Sequence, residues 1–382
     1  MTDFDHVLDD LSAAGLLRSM RTVTPVDGGR VLIEGREFVS FAGNDYLGLR
    51  RHPEVVAGAA EAAKQYGVGA GASRLLAGTT PVHVELEETL ARFVGRESAL
   101  VFPSGYQTNV GVLTALAGKD DVLIVDARCH ASLIDAGRLS AATMRVYPHA
   151  NVAKLEVLLA RHAHCTRRFV VTEGVFSMDG DLAPLAAIVE AAGRHDAWLV
   201  LDDAHGFGVL GATGRGTAEH LGVDLPERTV AIATLSKAAG SQGGFAASAR
   251  TVTDVLVNRA RSFIYTTGLS PACAGGALAA LKLFGDATRR RRLRDLSLLA
   301  RRLLREAGAD VPDGETPIVP VVVRDVERAV ELSARLFEEG FLAPPIRPPT
   351  VPKGTARLRI SLSADHADAD VERLAHAIAR AF

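Results

Sequence analysis

Short, continuously apolar runs rich in β-branched residues alternate with amphipathic stretches through most of this chain, and few architectures satisfy such a pattern. The runs are Ala99 to Phe102, Val122 to Val125, Thr143 to Tyr147, Phe169 to Thr172, Trp198 to Leu201, Thr229 to Ala233 and Gly244 to Ala247. Strands apolar on both faces have to be covered on both faces, as in a parallel sheet. Between them, apolar residues recur at helical spacing. Val82, Leu86, Leu90 and Phe93 follow Thr80 and Pro81, an N-cap and a first-turn proline, and Leu185, Ile188, Val189 and Ala192 follow Pro184. Strand, crossover helix and strand repeating about every 25 to 30 residues predict an α/β fold with a mostly parallel, doubly wound sheet.

From Asp286 onward the texture changes. An Arg-rich helix (Arg289, Arg290, Arg291, Arg292, Arg294) precedes strands near Ile318 to Val323 and Ala356 to Leu362, with helices around Val326 to Glu339 and Ala367 to Ala381. Leu293, Leu296, Leu299, Leu303 and Leu304 give the Arg-rich helix an apolar stripe, so its arginines read as a solvated face rather than a polyanion patch. A length of 382 residues accommodates this plan as an N-terminal segment 1–50, a large domain 51–285 and a smaller C-terminal α+β domain 286–382.

Composition removes several classes. With 48% apolar and 23% charged residues the chain is neither disordered nor low in complexity. A net charge of −2 draws it to neither nucleic acid nor an anionic membrane. Cys129, Cys165 and Cys273 form no CxxC pair, which argues against a disulfide frame or a zinc site. No apolar run approaches the roughly 18 to 20 residues of a membrane span. The stretch Met1 to Asp10 is acidic where a signal peptide would be basic, so a cytoplasmic protein is expected.

Ligands of parallel α/β sheets bind beyond the carboxyl ends of the strands. The unusual polar residues collect there: Ser104, Gly105 and Tyr106 after one run, Asp126 and His130 after another, then Glu173 and Ser177, Asp202 and His205, and Thr234, Ser236 and Lys237. Asp202, closing an apolar run, needs a cation. A metal is one candidate, with His205 three residues on, but no third ligand stands at short spacing. The protonated nitrogen of a pyridoxal cofactor is the better one, because a carboxylate there keeps the ring an electron sink. Lys237, between an apolar strand and the small-residue run Ala238 to Gly244, can form a Schiff base and then act as acid and base; a lysine merely paired at a strand end is the alternative. The Ser104-Gly105-Tyr106 turn opens a helix whose free N–H groups favour a phosphate. Gly67 to Gly78, GVGAGASRLLAG, superficially matches a dinucleotide fingerprint, but no apolar strand precedes it.

The stretches AGNDYLGL (42–49), DARCHASLIDAGRLS (126–140), VVTEGVFSMDGDLAPL (170–185), VLDDAHGFGVLG (200–211), TLSKAAGSQGG (234–244) and IRPPTVPKGTARLRISL (346–362) resemble the α-oxoamine synthases, fold type I pyridoxal-phosphate enzymes, over nearly the whole chain and in order. Within that family the segment Ile346 to Pro352 looks most like the branch that condenses L-alanine with pimeloyl-CoA or pimeloyl-acyl carrier protein; a sister using glycine and acetyl-CoA is the alternative. The resemblance implies pyridoxal 5'-phosphate bound through Lys237, with Asp202 on the ring nitrogen, His205 on the phenolic oxygen, His130 stacked on the ring and Ser177 beside it. It places Gly105, Tyr106 and Thr234 at the phosphate. In an expected homodimer, Thr266 and Thr267 would reach the partner's phosphate. Asn44 and Arg359, with His130, would hold the amino acid, and Arg21 and Thr350 the acyl substrate. Two positions depart from the family: Cys129 stands where a polar residue is common, and Phe207 where a smaller one is frequent. A buried structural thiol is the expectation for Cys129.

An aminotransferase, a cofactor-binding regulator and a Rossmann oxidoreductase are the competing readings. The regulator would need an added DNA-binding module, for which the chain leaves little room.

Overall fold

A computed structural model describes residues 4–13 and 16–380. Residues 1–3 of the acidic opening stretch and Ala381, the expected end of the last helix, lie outside the described residues. In chain order, β1 (Thr24–Val26), β2 (Arg30–Ile33) and β3 (Arg36–Ser40) form an antiparallel meander. Then β4 (Ser98–Phe102), β5 (Val122–Asp126), β6 (Thr143–Tyr147), β7 (Arg168–Glu173), β8 (Trp198–Asp202), β9 (Thr229–Thr234) and β10 (Gly244–Ser248) build one sheet in the order β4-β10-β9-β8-β7-β5-β6. All its neighbours are parallel except β10, which runs antiparallel to both β4 and β9. Each of the seven runs read from the sequence is a strand of this sheet.

Strand alternation feeds two separate cores, as a sheet covered on both faces requires. From β5, Leu123 and Val125 meet Val112, Leu113 and Leu116 of the helix Gly105–Leu116 and Leu133 of the helix Ala131–Leu139. Val122 and Ile124 face the other way, onto Leu155 and Leu159 of the helix Val152–Arg161 and Ile188 of the helix Leu185–Arg194. The expected cap at Thr80 is present: its N–H donates to His83 Nδ1 at 3.1 Å at the start of the helix Pro81–Phe93.

A third core joins the two ends of the chain. Of the remaining strands β11 (Ile318–Arg324), β12 (Phe341–Leu342), β13 (Pro345–Ile346) and β14 (Ala356–Ser361), β12 pairs parallel with β3, and β11-β14-β13 form an antiparallel sheet. Val319, Val321, Leu358 and Ile360 from that sheet share a cluster with Phe41, Leu86 and Leu296. The meander at 24–40 carries no clear signal in the sequence because Arg30, Glu34, Arg36 and Glu37 break its apolar residues into short pieces.

The Arg-rich helix, Thr288–Glu306, corrects one expectation. Arg291 and Arg294 are exposed, but Arg290 is buried and donates to the carbonyls of Phe284 and Ala212. Arg292 donates to His366 O at 2.8 Å, and Arg289 to Leu47 O and Asp365, each at 2.8 Å. These side chains tie the helix to carbonyls of loops elsewhere in the chain, which periodicity cannot reveal.

Candidate active site

The carboxyl ends of β4, β7, β8 and β9 meet at one edge. Register pairs Asp202 with Glu173 on one side and with Ile232 on the other, while Gly244, opening the antiparallel β10, pairs with both Phe102 and Thr234. A Cβ on Gly244 would stand 2.5 Å from Thr108 Oγ1 and 2.7 Å from Gly105 Cα, so a missing side chain lets the helix N-terminus seat against the edge. Ser104 caps that helix by accepting from Gln107 N at 3.2 Å. Gly240, at φ 61°, likewise admits the backbone of Leu49 and Arg50, bringing the segment 42–49 onto the loop that carries Lys237.

A cavity of about 230 Å³ opens at this edge, lined by Gly105, Tyr106, His130, Asp202, His205, Thr234 and Lys237 among others. Lys237 and Ser236 also line a second cavity of about 450 Å³ that reaches Asn44, Arg50, Ser361 and Ser363. Two larger cavities, of about 510 and 470 Å³, have no lysine in their walls.

Electrostatics follow from burial. Lys237 Nζ lies 3.0 Å from His205 Nε2. Burial pulls the Lys237 pKa below that of an ordinary lysine, against the pull of Asp202 and Glu173. Burial, with the Lys237 charge beside it, holds His205 well below the usual histidine range, so it is neutral. Glu173 is pushed well above the usual carboxyl range by burial and then by Asp202, and it accepts the His130 backbone N–H. Asp202, 6% exposed, accepts from Ala204 N at 3.0 Å and Asn109 Nδ2 at 2.7 Å. Among the described residues no Lys, Arg or His lies within ion-pair distance of it. Arg359 donates to Ser177 O (2.6 Å), Ser361 Oγ (2.7 Å), Asn44 Oδ1 (3.3 Å) and Tyr46 Oη (3.4 Å), and Tyr46 Oη lies 2.7 Å from His205 Nδ1.

The first cavity fits pyridoxal phosphate on these observations. Its wall offers a buried carboxylate with no protein cation, a lysine with lowered pKa, and a capped helix N-terminus beside the Thr234 hydroxyl, which match a pyridinium, an aldehyde and a phosphate.

Lys237, Asp202, His205, His130, Gly105, Tyr106 and Thr234 therefore come together, and Asn44, Arg359 and Ser177 form a connected group beside them. Tyr106 Oη itself donates outward, to Asp135 at 2.9 Å. The remaining expected residues stand apart from the first cavity. Thr266 Oγ1 accepts from Gln107 Nε2 at 3.4 Å, Thr267 is exposed, Thr350 is an exposed turn residue, and the Arg21 guanidinium lies 4.4 Å over the Phe337 ring. Cys129 is buried and its thiol is pushed well up by burial. Phe207 packs edge-on against Phe93, Phe245 and Phe284, which accommodates the larger side chain. Sequence reasoning assigned no role to Tyr46, Asn109, Ser132 or Glu173. Glu173 carried a signal, an acid closing an apolar run at the same edge as Asp202, whereas Asn109 and Ser132 lie within helices and arrive only through folding.

The family model for aminotransferase class I and II matches residues 36–378. The 8-amino-7-oxononanoate synthase of Geobacter sulfurreducens is 49% identical over 98% of this chain and 96% of its own length. Among solved structures, Sphingomonas wittichii serine palmitoyltransferase superposes with a TM-score of 0.92 at 33% identity, covering 100% of this chain and 97% of that one. Another, SPT with PLP, gives 0.93 at 30% identity over 99% and 97% of the two chains. This chain belongs to the aminotransferase class I and II family and, within it, to the α-oxoamine synthases.

Proposed function

We propose that this chain catalyses the reaction for which its 8-amino-7-oxononanoate synthase relatives are named. L-alanine condenses with a pimeloyl thioester, on CoA or acyl carrier protein, to give 8-amino-7-oxononanoate, carbon dioxide and the free thiol, a step in biotin biosynthesis. The observation that carries this reading is the placement of Lys237 between two cavities, one matched to pyridoxal phosphate and one open toward Asn44 and the small antiparallel sheet.

Pyridoxal phosphate, when bound, supplies a sink for the electrons left at Cα of the amino acid when its proton departs. Lys237 would hold the group through its amine and, once displaced, would take the Cα proton and later return one; burial keeps that amine competent as a base. Asp202 would keep the ring nitrogen protonated. His205 would bond the phenolic oxygen, with Tyr46 at its other nitrogen. Gly105, Tyr106 and Thr234 would hold the phosphate, His130 would stack on the ring and contact the amino acid, and Ser177 would lie beside the ring. Arg359 and Asn44, already joined, would receive the amino-acid carboxylate. Arg21 and Thr350 would meet the acyl donor.

In a homodimer, Thr266 and Thr267 would serve the partner's phosphate. Residues 51–285 would form the cofactor domain and 286–382 the small domain supplying Arg359, with 1–50 leading into them. No helix among the described residues is long and apolar enough to cross a membrane, and a cytoplasmic location accords with such a biosynthetic role.

Mass spectrometry of products from L-alanine plus pimeloyl-CoA, beside glycine plus acetyl-CoA, tests the substrate pair. The expected mass appears only with the first; its absence overturns the assignment. Lys237→Ala should abolish turnover, and normal activity in that variant would refute the mechanism.

A further inference from the structure

A buried chain of hydrogen bonds, to which the proposed function assigns no role, links the group expected on the cofactor's ring nitrogen to the group expected on its face. Asn109 lies on the helix Gly105–Leu116 and Ser132 on the helix Ala131–Leu139; they are 2% and 1% exposed. Asn109 Nδ2 donates to Asp202 Oδ2 at 2.7 Å and to Ser132 Oγ at 2.8 Å. Ser132 Oγ in turn lies 2.7 Å from His130 Nδ1, which also receives the Ser132 backbone N–H at 3.2 Å.

The donors settle the directions. Turned over, the Asn109 amide would set its oxygen 2.7 Å from a carboxylate oxygen, so one orientation alone is workable, and it spends both amide protons. Ser132 Oγ accepts one of them and has its own proton free for His130. A ring nitrogen that accepts from a backbone N–H has to present a lone pair. His130 Nδ1 is therefore unprotonated, and in the neutral ring the proton sits on Nε2. The orientation leaves Asn109 Oδ1 buried without a partner, a sign that the amide is placed by what its nitrogen serves. Burial lowers the His130 pKa, while Asp202 and Asp135 raise it and Lys237 lowers it; the net displacement is downward, in keeping with a neutral ring.

We propose that Asn109 is a positioning residue that, through Ser132, locks His130 as its neutral Nε2–H tautomer and ties that ring to the Asp202 carboxylate as one unit. The consequence is a stacking ring with a fixed plane and its one N–H on the nitrogen that no described residue bonds. This deepens the proposed function, since it rests on reading the cavity as the cofactor site. Its test reads the histidine itself, so a wrong substrate assignment would leave the result unchanged.

The test is nitrogen NMR of the full-length chain labelled with 15N-histidine, at neutral pH, with and without pyridoxal 5'-phosphate. The His130 signals are assigned by their loss in His130→Gln. The native protein should show the widely separated pair of ring nitrogens of an Nε2–H tautomer. Ser132→Ala and Asn109→Ala should bring the pair together as the tautomers mix, and Ser132→Thr, which keeps the hydroxyl, should restore the separation. An Nδ1–H or doubly protonated His130 in the native protein overturns the proposal whether or not the Ser132 and Asn109 variants fold. So does an unchanged pair in folded Asn109→Ala.

Discussion

His149 offers a direct test of how the site's walls are held. It follows β6 and stands between two carboxylates, with Nδ1 3.0 Å from Asp126 Oδ1 and Nε2 2.7 Å from Asp181 Oδ2. Its ring meets Phe176 edge-on at 4.4 Å. Burial opposes its charge, but the hydrogen bonds and charges of Asp126 and Asp181 prevail, and its pKa rises from 6.5 to about 9. A displacement of about 2.5 pH units at about 1.4 kcal/mol each is worth about 3 kcal/mol. Asp181 is 38% exposed, so solvent screening reduces this to about 2 kcal/mol. The folded pKa is the higher one, so the stabilisation is complete below about pH 6.5, decays as pH rises, and is gone above about pH 9. Urea unfolding at a series of pH values, comparing the native chain with His149→Gln, measures it. The native protein should lose about 2 kcal/mol more than the variant between those limits. Parallel profiles would refute the claim that a charged His149 braces the segment 174–183, which presents Ser177 to Arg359.

Three other perturbations follow from the same contacts. Gly244→Ala places a methyl against Thr108 and Gly105, so the helix N-terminus shifts; overpacking of this kind costs about 1–3 kcal/mol, and titration should show pyridoxal phosphate binding at least about tenfold weaker. Arg359→Lys cannot reproduce a fork that meets four acceptors on three segments, and steady-state kinetics should show the KM for L-alanine rising at least about tenfold. Tyr46→Phe strips a partner from buried His205, worth about 1–3 kcal/mol, and cofactor affinity measured by absorbance titration should fall; unchanged binding would show that His205 needs no such support.

Much of the architecture was legible in the chain. Apolar runs such as Val122 to Val125 need two covered faces, so they announce the sheet, and the acids and lysine that end such runs mark its ligand edge. Asp202, His205, Lys237 and the Ser104 turn could be named because each stands next to its own strand. The resemblance to the α-oxoamine synthases gave His130 its role and added Asn44 and Arg359. The short meander and the burial of Arg290 in the Arg-rich helix escaped, the first because charged residues break its apolar runs and the second because its acceptors are loop carbonyls elsewhere in the chain.

The sequence by itself determined the alternation of strands and helices, and with it which residues lie at the carboxyl edge, because both depend on local patterns, continuous apolar runs for the strands and a 3.6-residue spacing for the helices. Tertiary structure alone decided which distant side chains meet there. Arg359 reaches Asn44 across 315 positions and Asn109 reaches Asp202 across 93. Those meetings depend on strand order and on the close approach of backbones at Gly240 and Gly244, and no local pattern encodes either.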